Sequence, residues 1–114
     1  MKHFNYLDEL DANVIVCDTL GVIIYMNKTA IRNYGKDGGD KLIGQNLLDC
    51  HPEPARSKCV ELLETQNSNV YTIEKKGIKK MIIQKPWYEE GKFGGLIEFG
   101  FQIPFQMEHF VRQS

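Results

Sequence analysis

The side chains best suited to chemistry in this sequence are three cysteines, Cys17, Cys50 and Cys59, and the histidine His51. An odd number of cysteines without CxxC spacing argues against both a disulfide framework and a structural zinc site. Cys50 and His51 are neighbours in a segment that reads as extended, where adjacent side chains point apart, so they do not form a metal-binding pair. The sequence has no nucleophilic triad and no phosphate-binding glycine motif between a strand and a helix. We therefore expect that the protein is not an enzyme.

Cys59 belongs to the stretch that organises the chain, residues 44–66. Its two prolines, two residues apart, cannot sit inside a helix, and an uninterrupted helical pattern follows them, so the stretch reads as a loop that leads into a helix. With Pro54 as the first helical residue, Ala55, Cys59 and Leu62 follow at steps of four and three and share one face. We expect this face to close one wall of a space whose other wall is a sheet.

Strand patterns lie on both sides of this helix. Two short β-branched runs joined by Asp-Thr-Leu-Gly predict a hairpin over residues 13–18 and 22–26, and Asn27 is a suitable N-cap for a following helix. After the long helix, turn signals separate three further predicted strands, at 70–74, 78–88 and 93–103. Two groups of strands around a helical insert predict an α+β fold, in which one five-stranded antiparallel sheet carries helices on one face.

The last of these strands alternates in a way that predicts which face is buried. Ile97, Phe99, Phe101 and Ile103 fall on one side, and we expect them to form a principal wall of the interior. Trp87 follows a proline in the preceding strand, and we expect it to line an opening or to pack against its neighbours. Because proline removes a donor from the ladder, Pro86 predicts a bulge or an edge at that point.

Length and charge set the limits of the molecule. With 114 residues and a formal charge of −1, the chain is predicted to be one domain that lacks a field to attract nucleic acid. No stretch approaches the roughly 20 apolar residues of a membrane span, and we expect a cytoplasmic protein. Phe4, Leu7 and Leu10 predict a short amphipathic helix within residues 1–12. The main domain would then occupy 13–104, and 105–114 would be a C-terminal tail.

The order and spacing of several short motifs resemble a PAS domain over nearly the whole chain. These motifs are the Val-Ile-Val-Cys-Asp strand with Asp18 and Gly21, Asn27 with Ala30 after it, Leu-Ile-Gly at 42–44, and the terminal Gly-Gly-Leu-Ile-Glu-Phe strand. The resemblance implies a five-stranded sheet that cups a small pocket beneath helices. It also implies sensing, ligand binding or partner interaction rather than catalytic turnover.

Two PAS subfamilies imply different cofactors. Photosensory LOV domains place their flavin-reactive cysteine where this sequence has Leu47, which argues against flavin photochemistry of that type. The haem-binding PAS domains of rhizobial oxygen-sensing kinases share Pro-Glu-Pro-x-Arg-Ser, here residues 52–57, but their haem-ligating histidine falls on Cys59. The cofactor therefore stays open between haem, flavin and neither. For Cys59 we favour a small buried residue over a haem thiolate, and for His51 a polar role before the helix over metal ligation.

The leading hypothesis is a PAS-type sensory module that binds a small, mostly apolar ligand or cofactor and passes a signal to a partner. The residues expected to contact the ligand are Leu47, Ala55, Cys59, Leu62, Trp87, Ile97, Phe99 and Phe101. A ligand-free interaction module, filled by its own aromatic side chains, is the alternative. We expect a homodimer formed through the N-terminal helix and the outer sheet face, and a signalling effector as a further partner.

Overall fold

The structure is a computed structural model and describes residues 5–114. Five strands and three α-helices follow one another along the chain, with two 3-10 turns, Gly35–Asp37 and Gly39–Leu42, between the first two helices. In chain order the elements are β1 (Asn13–Asp18), β2 (Ile23–Met26), α1 (Lys28–Asn33), α2 (Leu47–Cys50), α3 (Ala55–Thr65), β3 (Asn69–Lys75), β4 (Ile78–Glu89) and β5 (Lys92–Ile103).

All five strands form one antiparallel sheet in the order β2-β1-β5-β4-β3. The first hairpin joins the second group of strands in the middle of the sheet, where β1 pairs with β5 from Asn13↔Gly100 to Asp18↔Gly95. Helix α1 contacts β1 and helix α3 contacts β5, so the helical insert covers one face. The predicted α+β fold is confirmed.

The turns between β3, β4 and β5 also follow the sequence prediction. Lys76 and Gly77 have φ of 53° and 77°, and Glu90 and Gly91 have φ of 50° and 79°, values that suit two-residue hairpin turns. Pro86 is accommodated because β3 pairs with β4 no further than Gln84, so the missing N–H faces no neighbouring strand. The register of β4 on β5 shifts directly after it, between Trp87 and Tyr88, as a bulge would require.

The hydrophobic core lies between the sheet and the helical insert. Its largest fully buried apolar side chain is Leu62 of α3, at 1% exposure. The other members of the core cluster come from the inner face of the sheet and from the segments that cover it, and they are Cys17, Ile23, Met26, Ala30, Leu42, Leu47, Cys59 and Leu96. Both the sheet and the helical insert therefore contribute small as well as large side chains to the core between them.

Asn27 caps α1, as predicted, and also fastens two other segments. Its Oδ1 accepts hydrogen bonds from Ala30 N at 2.9 Å and Val14 N at 3.1 Å. Its Nδ2 donates to the carbonyls of Leu7 and Ala12, at 2.8 Å each. The side chain is fully buried, and every polar atom that it presents has a partner. Asn27 thus holds the N-terminal segment, β1 and α1 together.

The described part of the N-terminal segment, residues 5–12, consists of turns and bends, so the predicted amphipathic helix is wrong there; Phe4 lies outside the described residues. The reason is tertiary: the Leu7 and Ala12 carbonyls accept from Asn27 Nδ2, and the backbone of the segment forms i→i+3 turns, with Asp8 N donating to Asn5 O and Leu10 N to Leu7 O at 3.3 Å each. At the other end, residues 105–114 have no regular secondary structure and are exposed. No helix among residues 5–114 is long and apolar enough to cross a membrane.

Candidate functional site

A cavity of about 360 Å³ lies between the inner face of the sheet and the helical insert. Its strand wall comes from β1, β2, β4 and β5, and its helical wall from the segment that runs from α1 to α3. Most of its lining is apolar: the aliphatic members are Ile15, Ile23, Met26, Leu42, Leu47 and Leu96. A concave, mainly apolar space with a few polar groups is the usual form of a small-molecule site.

The sheet side of the cavity contributes two polar side chains, Gln84 and Glu98. Glu98 of β5 projects into the cavity, and its Oε1 accepts a hydrogen bond from Gln84 Nε2 at 2.8 Å. Gln84 is only 8% exposed, and its own Oε1 accepts from Asn69 Nδ2 at 2.9 Å. Burial raises the pKa of Glu98, although the hydrogen bond from Gln84 and the charge of His51 act in the opposite direction. An acidic group of this kind marks the cavity as a candidate functional site.

The helical side supplies His51, which follows α2. Asn46 caps this short helix by accepting from Leu48 N at 2.9 Å. The imidazole Nδ1 of His51 lies 2.6 Å from the Leu47 carbonyl, and because a carbonyl only accepts, Nδ1 carries the proton. The Nε2 of a neutral His51 is then an acceptor, so His51 presents a polar group opposite the sheet wall.

Two of the three cysteines line the cavity as buried thiols. Cys17 is 1% exposed and Cys59 is 4% exposed. Burial, with smaller contributions from the nearby Glu98 and Cys17, raises the pKa of Cys59 to about 11. Desolvation likewise raises the pKa of Cys17. Both side chains are therefore neutral thiols at physiological pH, which makes them part of the apolar lining. Cys50, also at the cavity, is exposed.

Helix α3 meets the cavity through fewer residues than the sequence predicts. Cys59 lines it, whereas Leu62 is buried in the core and is not part of the lining. Ala55 is exposed, so its predicted burial is wrong. The helix begins at Ala55, with Pro54 as its N-cap, and residues 55–57 of its first turn are all exposed. Leu47, the other predicted residue from this region, does line the cavity.

The predicted sheet wall is on the wrong face of β5. Leu96 and Glu98 line the cavity, so by alternation Ile97, Phe99 and Phe101 lie on the outer face. Hydrophobicity could not show which face of β5 is buried, because the strand carries apolar residues on both faces. The cross-strand register decides it, since Gln84 pairs with Glu98 and gives its carboxyl a donor on the inner face.

Trp87 is not part of the lining either. Its indole Nε1 donates to the backbone carbonyl of Cys17 at 3.0 Å, so the side chain reaches across β5 to β1. The ring lies directly over Gly94, where a Cβ would come within 2.2 Å of ring carbon atoms. At the neighbouring Gly95, a Cβ would meet the Cys17 carbonyl at 2.0 Å. Two consecutive glycines therefore make room for this crossing.

Sequence reasoning missed Glu98, Gln84 and Tyr34 as members of the site. Glu98 is a single charged residue between Ile97 and Phe99. Without the cross-strand register, a charged residue at such a position is expected to face solvent. Tyr34 is the C-cap of α1 and lines the cavity. Burial raises its pKa to about 12, so the phenol stays neutral and can both donate and accept a hydrogen bond.

The cavity does not fit haem or flavin phosphate. Both carry anionic groups, yet the lining contains the carboxyls of Asp37 and Glu98 and no lysine or arginine. A haem thiolate at Cys59 would require ionisation of a thiol whose pKa is about 11. Among residues 5–114, no three His, Cys, Asp or Glu side chains are grouped so as to hold a metal ion.

A five-stranded antiparallel sheet with a ligand-sized cavity under a helical insert defines a sensor-domain architecture. The chain belongs to the PAS fold family, whose model matches residues 7–69. A search of curated proteins found no match to the sequence.

Solved structures agree with this assignment at the level of fold. A sensory box sensor histidine kinase from Vibrio cholerae is similar, with a TM-score of 0.66, 19% identity, and coverage of 88% of this chain and 87% of that chain. The PAS domain of a protein from Colwellia psychrerythraea has a TM-score of 0.61 at 22% identity, and the match covers 85% of this chain and 90% of that chain. The Aer2 receptor from Vibrio cholerae, described as a dual PAS-heme oxygen sensor, has a TM-score of 0.61 at 17% identity, with 82% and 95% covered.

Proposed function

We propose that this chain is a PAS-type sensory module that binds a small, mostly apolar ligand in the cavity and passes the signal to a partner. The observation that carries the proposal is the cavity itself. Its volume of about 360 Å³ falls within the range of known ligand sites, roughly 300–1,000 Å³. Transfer of an apolar ligand from water to this largely aliphatic lining would be favourable, because apolar surface is removed from water.

The positions of the aromatic residues favour a ligand over a self-filled interior. Within residues 5–114, Tyr34 is the only aromatic side chain that lines the cavity. Phe99 and Phe101 lie on the outer face of the sheet, and Phe105 and Phe110 are exposed in the C-terminal segment. The alternative of a ligand-free module filled by its own aromatic side chains therefore lacks the side chains to fill it.

The hydrogen bonds of the sheet wall support a path for the signal. Glu98 touches the cavity and is joined through Gln84 to Asn69 on the edge strand β3. A ligand that changes the hydrogen bonding of Glu98 would thus bias the pairing of an edge strand, which a partner can contact. No catalytic step is part of this proposal.

The outer face of the sheet supports a homodimer as the assembled form. Ile83 and Phe99 are directly opposite one another there, with Phe101 beside them, and all three are only partly buried. Val70 continues the patch at 55% exposure. Apolar sheet surface of this kind is typical of a protein interface. A second copy of the chain, or a signalling effector, is the partner that we propose for it.

Composition supports a cytoplasmic location without nucleic acid or membrane partners. All three cysteines are free, which suits a reducing compartment. The formal charge of −1 provides no basic field for a phosphate backbone or an anionic lipid surface.

Native mass spectrometry and absorption spectroscopy of freshly purified protein would test ligand binding. We expect a non-covalent mass beyond that of the chain, lost on denaturation, and no haem or flavin band. Cys59→Leu fills part of the cavity and should reduce this extra mass. Ala55→Leu adds the same side chain at an exposed position of the same helix and should retain it. An unliganded native mass, together with no stabilisation by an apolar probe such as ethylbenzene, would contradict the proposal.

A further inference from the structure

The inner sheet wall holds a hydrogen-bonded row of three side chains whose direction is fixed. Asn69 Nδ2 donates to Gln84 Oε1 at 2.9 Å, so the other end of the Gln84 amide, Nε2, must be the group that donates to Glu98 Oε1 at 2.8 Å. Gln84 is buried, which leaves little freedom to reverse this order. Glu98 therefore ends the row as a hydrogen-bond acceptor at the cavity.

Glu98 receives one hydrogen bond from the protein and no ion pair. Over residues 5–114, the Gln84 contact is its one hydrogen bond, and the one ion pair in this range joins Lys58 to Glu61 on the surface of α3. A carboxylate has room for several donors, so Oε2 is left to the cavity. A partly buried carboxyl with a single donor is poorly compensated when it is ionised.

The rest of the lining compensates the charge of Glu98 only weakly. Asp37 adds a second carboxyl, and no lysine or arginine lines the cavity. The charge of His51 lowers the pKa of Glu98, but this effect is the smallest of those that act on it, and the Nδ1 proton of His51 is donated to the Leu47 carbonyl at 2.6 Å. In its neutral form His51 faces the cavity with an acceptor, Nε2. The cavity thus offers acceptors on both walls and lacks a cation.

We propose that the polar group of the ligand is a cationic hydrogen-bond donor, an amidinium or a protonated amine on an apolar body, that pairs with the carboxylate of Glu98. This inference rests on the proposed function, since it names the class of ligand that the cavity accepts. A planar amidinium can donate two parallel hydrogen bonds to one carboxylate, the geometry that also makes arginine a strong partner. The aliphatic lining then covers the remainder of the ligand.

Ligand binding should depend on pH, because Glu98 is titratable. The groups that face Glu98 are Cys17 of β1, Tyr34 of the segment after α1, Cys59 of α3, Tyr71 of β3 and His51. The thiols and phenols among them have raised pKa values and stay neutral. Glu98 is the group that pairs with the ligand, and because its pKa is raised by burial it ionises at a higher pH than an exposed carboxyl. Binding of a cation should therefore tighten as the pH rises through the pKa of Glu98.

Three ligands of one shape separate the charge classes: benzamidine is a cation with two donors, benzamide is neutral, and benzoate is an anion. Each would be titrated into the full chain by calorimetry at pH 6 and pH 8, with ethylbenzene as an apolar reference. We expect benzamidine to bind more tightly at pH 8 and benzoate not to bind. Glu98→Gln keeps the shape and the hydrogen bond from Gln84, and should weaken benzamidine by more than roughly tenfold while benzamide changes little. Glu64→Gln, on the exposed side of α3, is the matched control and should bind as the unaltered chain does.

The outcomes separate this inference from the proposed function. If ethylbenzene binds but benzamidine does not, or if benzamidine binding is unaffected by Glu98→Gln, the cationic ligand class is overturned and the sensory cavity stands. Tighter binding of benzoate than of benzamidine would overturn it as well. If none of the four probes binds and the native mass shows no ligand, the proposed function fails and this inference fails with it.

Discussion

Replacement of Asn27 is the sharpest test of how the fold is held together around the site. The buried amide makes four hydrogen bonds of 3.1 Å or less, from Val14 N and Ala30 N and to the carbonyls of Leu7 and Ala12, besides a longer one of 3.5 Å to the Leu10 carbonyl. Asn27→Ala removes all four and leaves the backbone groups of three segments without partners. At about 1 kcal/mol for each hydrogen bond, the free energy of unfolding should fall by about 4 kcal/mol. That is a large fraction of the stability of a domain of this size.

Asn27→Asp separates the two halves of this network. The aspartate keeps the acceptor oxygen that caps α1, but it places a second oxygen against the carbonyls of Leu7 and Ala12, where an N–H stood at 2.8 Å. Its folded-state pKa must then lie above the unfolded value of about 3.9. The variant therefore loses stability as the pH rises through the folded-state pKa, and should be less stable than Asn27→Ala at pH 8.

Urea denaturation at pH 5 and pH 8, followed by the fluorescence of Trp87, would measure both variants. Asn33→Ala is the control. It removes the exposed hydrogen bond from Asn33, at the end of α1, to Asn13 of β1, and should lower the free energy of unfolding by less than about 1 kcal/mol. If Asn27→Ala lowers the free energy of unfolding by no more than the control does, the proposed role of Asn27 is refuted. Equal stability of Asn27→Asp and the unaltered chain at pH 8 would refute it too.

Four further expectations follow from the sheet and the cavity. Cys59→Ser should destabilise by about 1 kcal/mol more than Cys59→Ala, because it places a hydroxyl in a wall with few partners; equal melting temperatures would mean that the wall is wet. Gly94→Ala should cost roughly 3 kcal/mol by forcing a Cβ into the Trp87 ring, and Trp87→Phe should reduce that cost in a double-mutant cycle. Because the pKa of Glu98 is raised, the stability of the unliganded protein should fall as the pH rises through it, and Glu98→Gln should remove this slope in urea titrations. Phe101→Glu on the outer face should convert a dimer to a monomer in sedimentation; a dimer that survives the substitution would place the interface elsewhere.

The strands were predictable because their signals are local. Turn residues such as Gly77 and Gly91 fixed where β4 begins and ends, and the predicted strand bounds lie within a residue or so of those observed. The cap at Asn27 was equally local, since it depends on Ala30 three residues away. The N-terminal segment failed for the opposite reason: its carbonyls are taken up by Asn27, about 20 positions along the chain, which no helical periodicity records.

The site was predicted in outline but not in its polar detail. Leu47 and Cys59 could be placed because a helix that packs on a sheet must bury one stripe. The face of β5 could not, because apolar residues occupy both of its faces, and only the pairing of Glu98 with Gln84 reveals which one is inward. Cross-strand register is a long-range property, so the group that gives the cavity its chemical character was the one that sequence left on the wrong side.

The crossing of Trp87 over β5 gives the protein a built-in optical reporter. Trp87 is the one tryptophan of the sequence, and its indole N–H is bonded to the carbonyl of Cys17, whose side chain lines the cavity. Indole emission depends on the hydrogen bond and on the polarity around the ring, so a displacement of β1 at Cys17 would change the wavelength or intensity of the emission. If the proposed ligand displaces β1, its binding would be detectable without a label, in the same cuvette in which the chain is unfolded.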